Sequence, residues 1–314
     1  MSRLDPRDAG GREAGDDPAA GLPPPVLAAP VWSVRGRAIH LQRPFIFGIL
    51  NVTPDSFSDG GAFISSDAAV AQGERLVAEG ADGLDVGGES TRPQGAVPVD
   101  AAEERRRVIP VIAALRRRLP SVVLAVDTVK AEVARAALDA GVDVVNDVSG
   151  FRLDRAMGQI CASAGAGVIL MHSRGDVHDM ATYAHAVYGG DVTGEVAGEL
   201  RAALTAAAGA GVEPERVVLD PGLGFAKRSE HSLRLLAELP RLAALGRPLL
   251  VGASRKRFVG ELSGVAEPAA RAAGSVGAHV AALGRGARLF RVHDVRVHRE
   301  ALDVAWGVLR AANS

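Results

Sequence analysis

Polar residues stand at the end of nearly every short apolar run of this 314-residue sequence. A strand with a purely structural role does not need a carboxylate or an amide there, and an unpaired buried charge is costly. Lys256 and Arg291 can pair with such carboxylates, and a ligand rich in N–H donors would satisfy them better. The polar residues are Asn51, Asp85, Asp127, Asn146, Asp147, Asp220, Lys256, Arg291, His293 and Asp294.

Each of these residues, taken alone, has a simpler explanation. Asp and Asn often cap the helix that follows a strand, and Asp127 precedes the helical stretch Thr128-Val-Lys-Ala-Glu. For one isolated residue a cap is the better interpretation. The same coincidence at so many run ends is less plausible, so we interpret the set as the working residues of an enzyme.

The apolar runs alternate with longer segments of helical spacing. The runs are continuous in Val, Ile and Leu, as in parallel strands that are covered on both faces. Segments such as Ala101–Arg118 and Glu195–Ala208 place apolar residues at helical intervals. The predicted strands are Phe45–Val52, Gly83–Gly87, Val122–Thr128, Val142–Val148, Gly167–His172, Val217–Pro221, Leu249–Ala253 and Leu289–His293. Eight strand–helix units in about 270 residues predict an α/β fold of the (β/α)8 TIM-barrel class.

A doubly wound open sheet shows the same alternation of strands and helices. That fold predicts a glycine fingerprint after the first strand, whereas here Asn51-Val-Thr-Pro-Asp-Ser follows, without G-x-G-x-x-G. The barrel is therefore favoured, and in a barrel all strand ends meet at one mouth. We predict one barrel domain over residues 31–314, with a hairpin at Val31–Leu41 across its bottom and a disordered tail over residues 1–30.

Composition excludes several classes of protein. The 36 basic and 37 acidic residues give a net charge of -1, so no nucleic-acid partner is expected. Cys161 is the single cysteine, which excludes a disulfide framework or a thiolate metal site. No apolar run is long enough to span a bilayer and the first residues do not form a signal peptide, so we expect a soluble, cytoplasmic protein without a membrane partner.

Three familiar site patterns are incomplete. His172, His178 and His185 do not have the spacing of zinc ligands. Gly252-Ala-Ser254 lacks the final glycine of a serine-hydrolase elbow. Gly222-Leu-Gly224 begins like a phosphate loop without completing one, and we interpret its glycines as turn residues.

Several segments, in order along the chain, closely resemble the dihydropteroate synthases, the folate-pathway members of the pterin-binding barrel family. The resemblance covers most of residues 45–295, and the ordered set is highly specific. The segments are Asn51-Val-Thr-Pro-Asp-Ser-Phe-Ser-Asp-Gly-Gly61, Asp85-Val-Gly-Gly-Glu-Ser-Thr-Arg-Pro93, Val126-Asp-Thr128, Asn146-Asp-Val-Ser-Gly150, Met171-His172 with Arg174-Gly175, Asp220-Pro-Gly-Leu-Gly-Phe225, Ser254-Arg-Lys256 and Arg291-Val-His-Asp294.

The resemblance implies a transferase that joins 6-hydroxymethyl-7,8-dihydropterin pyrophosphate to p-aminobenzoate, releasing pyrophosphate and forming 7,8-dihydropteroate. It implies Mg²⁺ as cofactor, with Asn51 as its protein ligand, small-molecule substrates as partners, and a homodimer through barrel helices. Catalysis would fall to Asp127, Lys256, Asp220 and Arg291. The implied pterin residues are Asp127, Asn146, Met171, Asp220, Phe225 and Lys256; the pyrophosphate residues are Asn51, Arg291 and His293; the p-aminobenzoate residues are Phe57, Thr91, Arg92, Pro93 and Ser254.

The implied chemistry is consistent with these residue types. A weak aromatic amine attacks the methylene only when the pyrophosphate leaving group is neutralised, which Mg²⁺, Arg291 and His293 together would do. The resemblance then implies an SN1-like route in which Asp127 stabilises the cation. Loops over residues 51–63 and 89–97 are suited to exclude water.

Five positions depart from the family pattern: Ser173, Ala226, Arg228, Ser232 and Arg257. They leave open the shape of the loop after the sixth strand. Two other functions also stay open, namely a methyltetrahydrofolate–corrinoid methyltransferase and a non-catalytic pterin-binding paralogue. The phosphate and p-aminobenzoate segments count against the first, and the presence of Asp127 and Lys256 counts against the second.

Overall fold

A computed structural model describes residues 30–53, 66–89 and 99–312. The predicted N-terminal tail, apart from Pro30, lies outside the described residues. Within those ranges, no helix has the length and apolar character needed to cross a membrane.

Eight parallel strands form the predicted barrel. They are β3 (Phe45–Asn51), β4 (Gly83–Gly87), β5 (Val123–Asp127), β6 (Val144–Asp147), β7 (Gly167–Met171), β8 (Val217–Asp220), β9 (Leu250–Val251) and β10 (Leu289–Val292). Neighbours follow chain order from β3 to β8, and β10 lies between β3 and β9. The amide of Leu219 donates to the oxygen of Pro248, and Leu219 bridges Leu249, so β8 meets β9 and the circle closes.

Helices follow the strands and cover the outside of the barrel. They are α1 (Ser66–Ala78), α2 (Ala101–Arg118), α3 (Ala131–Asp139), α4 (Met157–Ala164), α5 (Val192–Gly209), α6 (Ser229–Ala237), α7 (Leu239–Ala243), α8 (Arg257–Ser263), α9 (Ala272–Leu283) and α10 (Val295–Ala311). Two short 3-10 turns are at Pro214–Arg216 and Pro268–Ala270.

The helix α2 shows why the predicted periodicity produces this packing. Its side chains at Val108, Ile112 and Leu115 recur at helical intervals and are fully buried against the sheet. The carboxylate of Asp100 accepts a hydrogen bond of 2.8 Å from the amide of Glu103 and caps the helix start. The observed bounds of α2 agree with the sequence prediction, because the apolar spacing defines the buried face and the cap defines the start of the helix.

The predicted hairpin precedes the barrel as β1 (Val31–Val34) and β2 (Arg37–His40). Arg35 and Gly36 both have positive φ, at 45° and 76°, as a two-residue hairpin turn requires. Trp32 is fully buried among apolar residues of the amino-terminal strand ends, with its ring centroid 6.2 Å from that of Phe47. The hairpin therefore plugs the bottom of the barrel, as predicted.

Candidate active site

Strand alternation brings the polar strand ends into the barrel mouth. Ala125 and Leu289 belong to the buried cluster inside the barrel, and the residues two places later, Asp127 and Arg291, face the same side. In register, Asp127 lies between Gly87 of β4 and Asn146 of β6. Helix α3 begins after Lys130 without a side-chain cap, so capping does not explain Asp127.

Arg291 is the centre of the charge arrangement. Its Nε donates to Asp85 Oδ2 over 2.5 Å, and its Nη2 donates to Asp127 Oδ2 over 2.7 Å. Asn146 Nδ2 donates to the same oxygen of Asp85 over 3.0 Å. The two carboxylates raise the pKa of Arg291 despite its burial, so the guanidinium keeps its charge. Asp85, for which no binding role was predicted, orients both Arg291 and Asn146.

Two carboxyl groups of the site have raised pKa values. Burial raises the pKa of Asp127 to about 7, and the nearby Arg291 opposes this. Burial likewise raises the pKa of Asp220 to about 6, although its Oδ1 accepts a bond of 2.7 Å from the amide of Gly222. Both groups lack enough donors to stabilise their ionised form fully, and a ligand with N–H groups would supply them.

Asp147, the second polar residue at the end of β6, faces away from Asn146 because strand neighbours alternate. Its carboxylate accepts bonds from the amides of Ser149 and Phe151 and from the Ser149 hydroxyl. Asp147 therefore orders the following turn and takes no part in the pocket.

A pocket opens at the carboxyl ends of the strands, and all of the residues predicted to contact a pterin lie in its wall. Its lining consists of Asp127, Asn146, Val148, Met171, Asp220, Gly222, Leu223, Phe225, Gly252, Lys256 and Arg291. The charged and amide side chains in this lining are Asp127, Asn146, Asp220, Lys256 and Arg291, whereas Met171, Val148 and Phe225 form part of an apolar cluster. This division suits a flat heterocycle with a polar edge.

Lys256 lies above the ring of Phe225, with Nζ 4.0 Å from the ring centroid. Burial lowers the pKa of Lys256 to about 8, and Asp220 opposes the shift. The ammonium is therefore charged at neutral pH beside a carboxylate. A more open depression of about 560 Å³ is lined by residues that include Arg43 and Trp306, and none of the polar strand ends lines it.

The residues predicted to bind pyrophosphate lie at the same mouth. Ser254 Oγ and His293 Nδ1 are 2.9 Å apart, and the His293 amide donates to Ser254 Oγ. Asn51 ends β3 opposite Gly87, where a Cβ would lie 3.8 Å from Asn51 Oδ1 and 3.6 Å from Asp127 Cβ. Asn51 and Asp127 therefore flank one glycine. Phe57, Thr91, Arg92 and Pro93, predicted to bind p-aminobenzoate, lie outside the described residues.

A buried lysine supports the loop after β8 and was not predicted. Lys227 is 1% exposed, and its Nζ donates to the carbonyls of Gly222 and Phe225 over 3.1 and 3.0 Å and to His172 Nδ1 over 2.7 Å. These acceptors match the three hydrogens of an ammonium. Burial lowers the pKa of Lys227 to about 7 and that of His172 to about 4. Neutral His172 then donates through Nε2 to Glu199, 3.0 Å away.

Two of the departures from the family pattern, Ala226 and Ser232, are accommodated in and beside this loop. Ala226 adopts a φ of 47°, where glycine is unstrained, and its amide donates to the carbonyl of Met180. Ser232 is buried and its hydroxyl accepts from the amide of Gly224 over 3.2 Å. The loop thus keeps its bonded turn with both substitutions in place.

Partly buried ion pairs join Lys130, just before α3, to Glu89 after β4 and to Glu104 of α2. Lys130 Nζ donates to Glu89 Oε2 over 2.7 Å and to Glu104 Oε2 over 2.6 Å. Glu89 Oε1 accepts from the amide of Val99 over 3.1 Å. These bonds hold both residues that flank 90–98, and the sequence contained no motif that predicted them.

Comparison with known proteins agrees with this architecture. The sequence model described as "Pterin binding enzyme" matches residues 47–293. A dihydropteroate synthase of a Synechocystis species is 44% identical over 264 residues, covering 84% of this chain and 90% of that protein.

Solved structures give the same result. The dihydropteroate synthase of Xanthomonas albilineans with 4-aminobenzoic acid has a TM-score of 0.82 and 47% identity, covering 90% of this chain and 99% of that one. The same enzyme in complex with 7,8-dihydropteroate has a TM-score of 0.80, 45% identity and the same coverage of each chain. The chain belongs to the pterin-binding enzyme family, and within it to the dihydropteroate synthases.

Proposed function

We propose that this chain condenses 6-hydroxymethyl-7,8-dihydropterin pyrophosphate with p-aminobenzoate to give 7,8-dihydropteroate and pyrophosphate. The observation that carries the proposal is the convergence of Asp127, Asn146, Asp220, Lys256 and Arg291 on one pocket. The relatives support it, since one structure of the Xanthomonas enzyme contains 4-aminobenzoic acid and another contains 7,8-dihydropteroate. The corrinoid methyltransferase alternative has no such support.

In this proposal the pterin ring lies in the pocket with its N–H edge toward Asp220 and Asn146. Asp220 accepts from ring donors, which relieves the cost of its burial and lowers its pKa. Met171 and Phe225 pack near the ring, with Lys256 over the Phe225 face.

Asn51, Arg291 and His293 hold the pyrophosphate in this proposal. Among the described residues, no group of three His, Cys, Asp or Glu side chains is placed to hold a metal ion. Mg²⁺ commonly takes one or two protein oxygens together with substrate phosphates and waters, so the amide oxygen of Asn51 fits such an ion. The bound ion would supply charge neutralisation for the leaving group.

The chain's own residues then govern an SN1-like bond cleavage. Arg291 and His293 donate to the departing pyrophosphate, which takes the electron pair of the C–O bond. The dihydropterin methylene becomes cationic, and ionised Asp127 stabilises that charge from the pocket wall. The amine of p-aminobenzoate adds to the methylene and loses a proton to solvent. Ser254, with Phe57, Thr91, Arg92 and Pro93, would hold p-aminobenzoate.

We also propose that the chain forms a homodimer through its last two helices, α9 and α10. Val297, Val304 and Val308 of α10 are 43%, 71% and 67% exposed and lie on one helix face, since they are spaced by seven and four residues. The neighbouring α9 exposes the small residues Ala273 and Gly277. Small side chains beside an apolar stripe favour close packing of a second copy on this face.

The proposed activity is tested with the purified chain, Mg²⁺ and dihydropterin pyrophosphate, with and without p-aminobenzoate. We expect dihydropteroate and pyrophosphate to form in equal amounts, only when p-aminobenzoate is present, and to stop when EDTA removes the metal. Binding of the pterin without product would leave the pocket correct and favour the non-catalytic paralogue. Product formation that is insensitive to EDTA would overturn the proposed role of Mg²⁺.

A further inference from the structure

The turn that carries Ser254 and Lys256 has a strained backbone. Arg255, between them, has a φ of 59°, a left-handed conformation that non-glycine residues rarely adopt. The two side chains diverge from this turn, Lys256 toward the ring of Phe225 and Ser254 toward His293. Such strain persists only where the surroundings hold it in place.

One face of α9 holds this turn at successive backbone groups. Residues 271, 275 and 279 are four apart and so lie on one side of the helix. His279 Nε2 accepts from the amide of Ala253 over 2.9 Å, and Ser275 Oγ accepts from the amide of Arg255 over 2.9 Å. Arg271 Nη1 donates to the carbonyls of Arg255 and Lys256 over 3.1 and 3.3 Å.

The bonded groups are shielded from water, so no solvent molecule replaces a lost partner easily. Ser275 and His279 are fully buried, and Ala253 is fully buried as well. The acceptor role of Nε2 requires a neutral imidazole protonated at Nδ1. Burial lowers the pKa of His279 well below its ordinary value, which favours this neutral state.

The same bonds explain why β9 ends at Val251, two residues earlier than predicted from the sequence. The amide of Ala253 bonds to a helix side chain and therefore does not continue the strand ladder. We propose that Arg271, Ser275 and His279 are positioning residues, which hold the Ser254–Lys256 turn so that Lys256 enters the pterin pocket and Ser254 contacts His293. This inference rests on the proposed function for its effect on turnover.

The first readout needs no substrate. An amine-reactive reagent labels Lys256 in the intact protein, and peptide mass spectrometry follows the labelling rate against pH. We expect an apparent pKa of Lys256 near 8 in the wild type, and a pKa closer to the ordinary 10.5 in Ser275→Ala and His279→Leu. Ser275→Thr and His279→Gln keep an acceptor near the same place and are expected to preserve the wild-type profile.

The second readout is binding of dihydropterin pyrophosphate and turnover. We expect Ser275→Ala to raise Kd and lower kcat/KM by about tenfold, as the loss of one buried hydrogen bond predicts. Ser263→Ala is the matched control, because each of the two hydroxyls donates over 2.7 Å to the carbonyl four residues earlier, Ser275 to Arg271 and Ser263 to Val259. It is expected to leave both constants unchanged.

The outcomes separate the two proposals. A wild-type chain without activity, together with a shifted Lys256 profile in Ser275→Ala, would remove the proposed function and keep the positioning role. Folded Ser275→Ala and His279→Leu proteins with wild-type labelling, Kd and kcat/KM would overturn the positioning role. If His279→Leu does not fold, Ser275→Ala decides alone, since it removes a single hydroxyl.

Discussion

Three carboxylates and two cations face one another at the barrel mouth, which leaves a formal excess of one negative charge. Asp85 and Asp127 bond Arg291 directly, whereas Asp220 interacts with Lys256 and Arg291 through space. Buried charges are stable only with enough partners. A ligand that brings N–H donors would stabilise the excess carboxylate charge, so the pocket is suited to bind such a ligand.

Asp220→Asn should make the empty protein more stable at alkaline pH. Burial raises the folded pKa of Asp220 to about 6 from 3.8, so ionisation costs more in the folded than in the unfolded state, and stability is lost as pH rises through this window. We expect a gain of about 3 kcal/mol in the free energy of unfolding at pH 8, measured with urea. Near pH 4 the gain should largely vanish, and an equal gain at both pH values would contradict this explanation.

Asp127→Asn should keep the fold and slow turnover. The Asn side chain has the same shape and its oxygen can still accept a hydrogen bond from Arg291, but it carries no charge to stabilise the developing cation. We therefore expect kcat to fall about a hundredfold while the Kd of dihydropterin pyrophosphate changes little. Asp139→Asn, on the exposed face of α3, is the control. An unchanged kcat in Asp127→Asn would refute the electrostatic role.

Hydrogen bonds from polar side chains hold the short loops that follow the strands. The loop after β8 is fixed by Lys227 from beneath, and the turn after β9 is fixed from α9. Glu89, at the end of the described β4 segment, bonds both Lys130 and the amide of Val99. Each loop is thus tied to a neighbouring helix or strand by a charged or polar side chain.

Lys227→Met should loosen the loop after β8. The substitution removes the donor for the carbonyls of Gly222 and Phe225, which leaves buried acceptors unpaired and costs about 2 kcal/mol or more. We expect faster hydrogen exchange at the amides of residues 222–226, with weaker pterin binding. Exchange in α2, which is remote from Lys227, should not change, and a uniform rise in both regions would indicate general destabilisation instead.

Sequence patterns predicted the elements well because strand and helix periodicity is local. Val122–Thr128 was predicted for a strand observed at Val123–Asp127, and Ala101–Arg118 was correct at both ends. Lys227 could not be predicted, because a lysine in a glycine-rich turn is expected on the surface and its acceptors are backbone carbonyls. Asp85 was noted as a strand residue, but its partners are distant in sequence.

In the whole molecule, the residues that stabilise the fold and those that form the site lie at opposite ends of the barrel axis. The hairpin and apolar strand starts fill the bottom with Trp32, Phe45 and Phe47, while polar strand ends occupy the mouth. The division follows from period-two alternation in eight parallel strands, since apolar and polar residues on one face differ only in their height along the axis. Substitutions at the two ends should therefore have separable effects.

The proposed dimer is tested on α10. Val304→Glu places a charge on the exposed apolar face, so we expect sedimentation to show a dimer for the wild type and a monomer for the variant at the same concentration. Arg296→Glu changes charge near the start of the same helix and serves as control. A wild-type monomer at micromolar concentration would contradict the dimer.

A crystal structure of the chain with dihydropterin pyrophosphate bound would test the proposed binding mode. We predict that the ring edge bonds Asp127, Asn146 and Asp220, and that the pyrophosphate lies toward Arg291 and His293. A ligand that binds elsewhere, or one whose pyrophosphate points away from Arg291, would contradict the site built here from the strand ends.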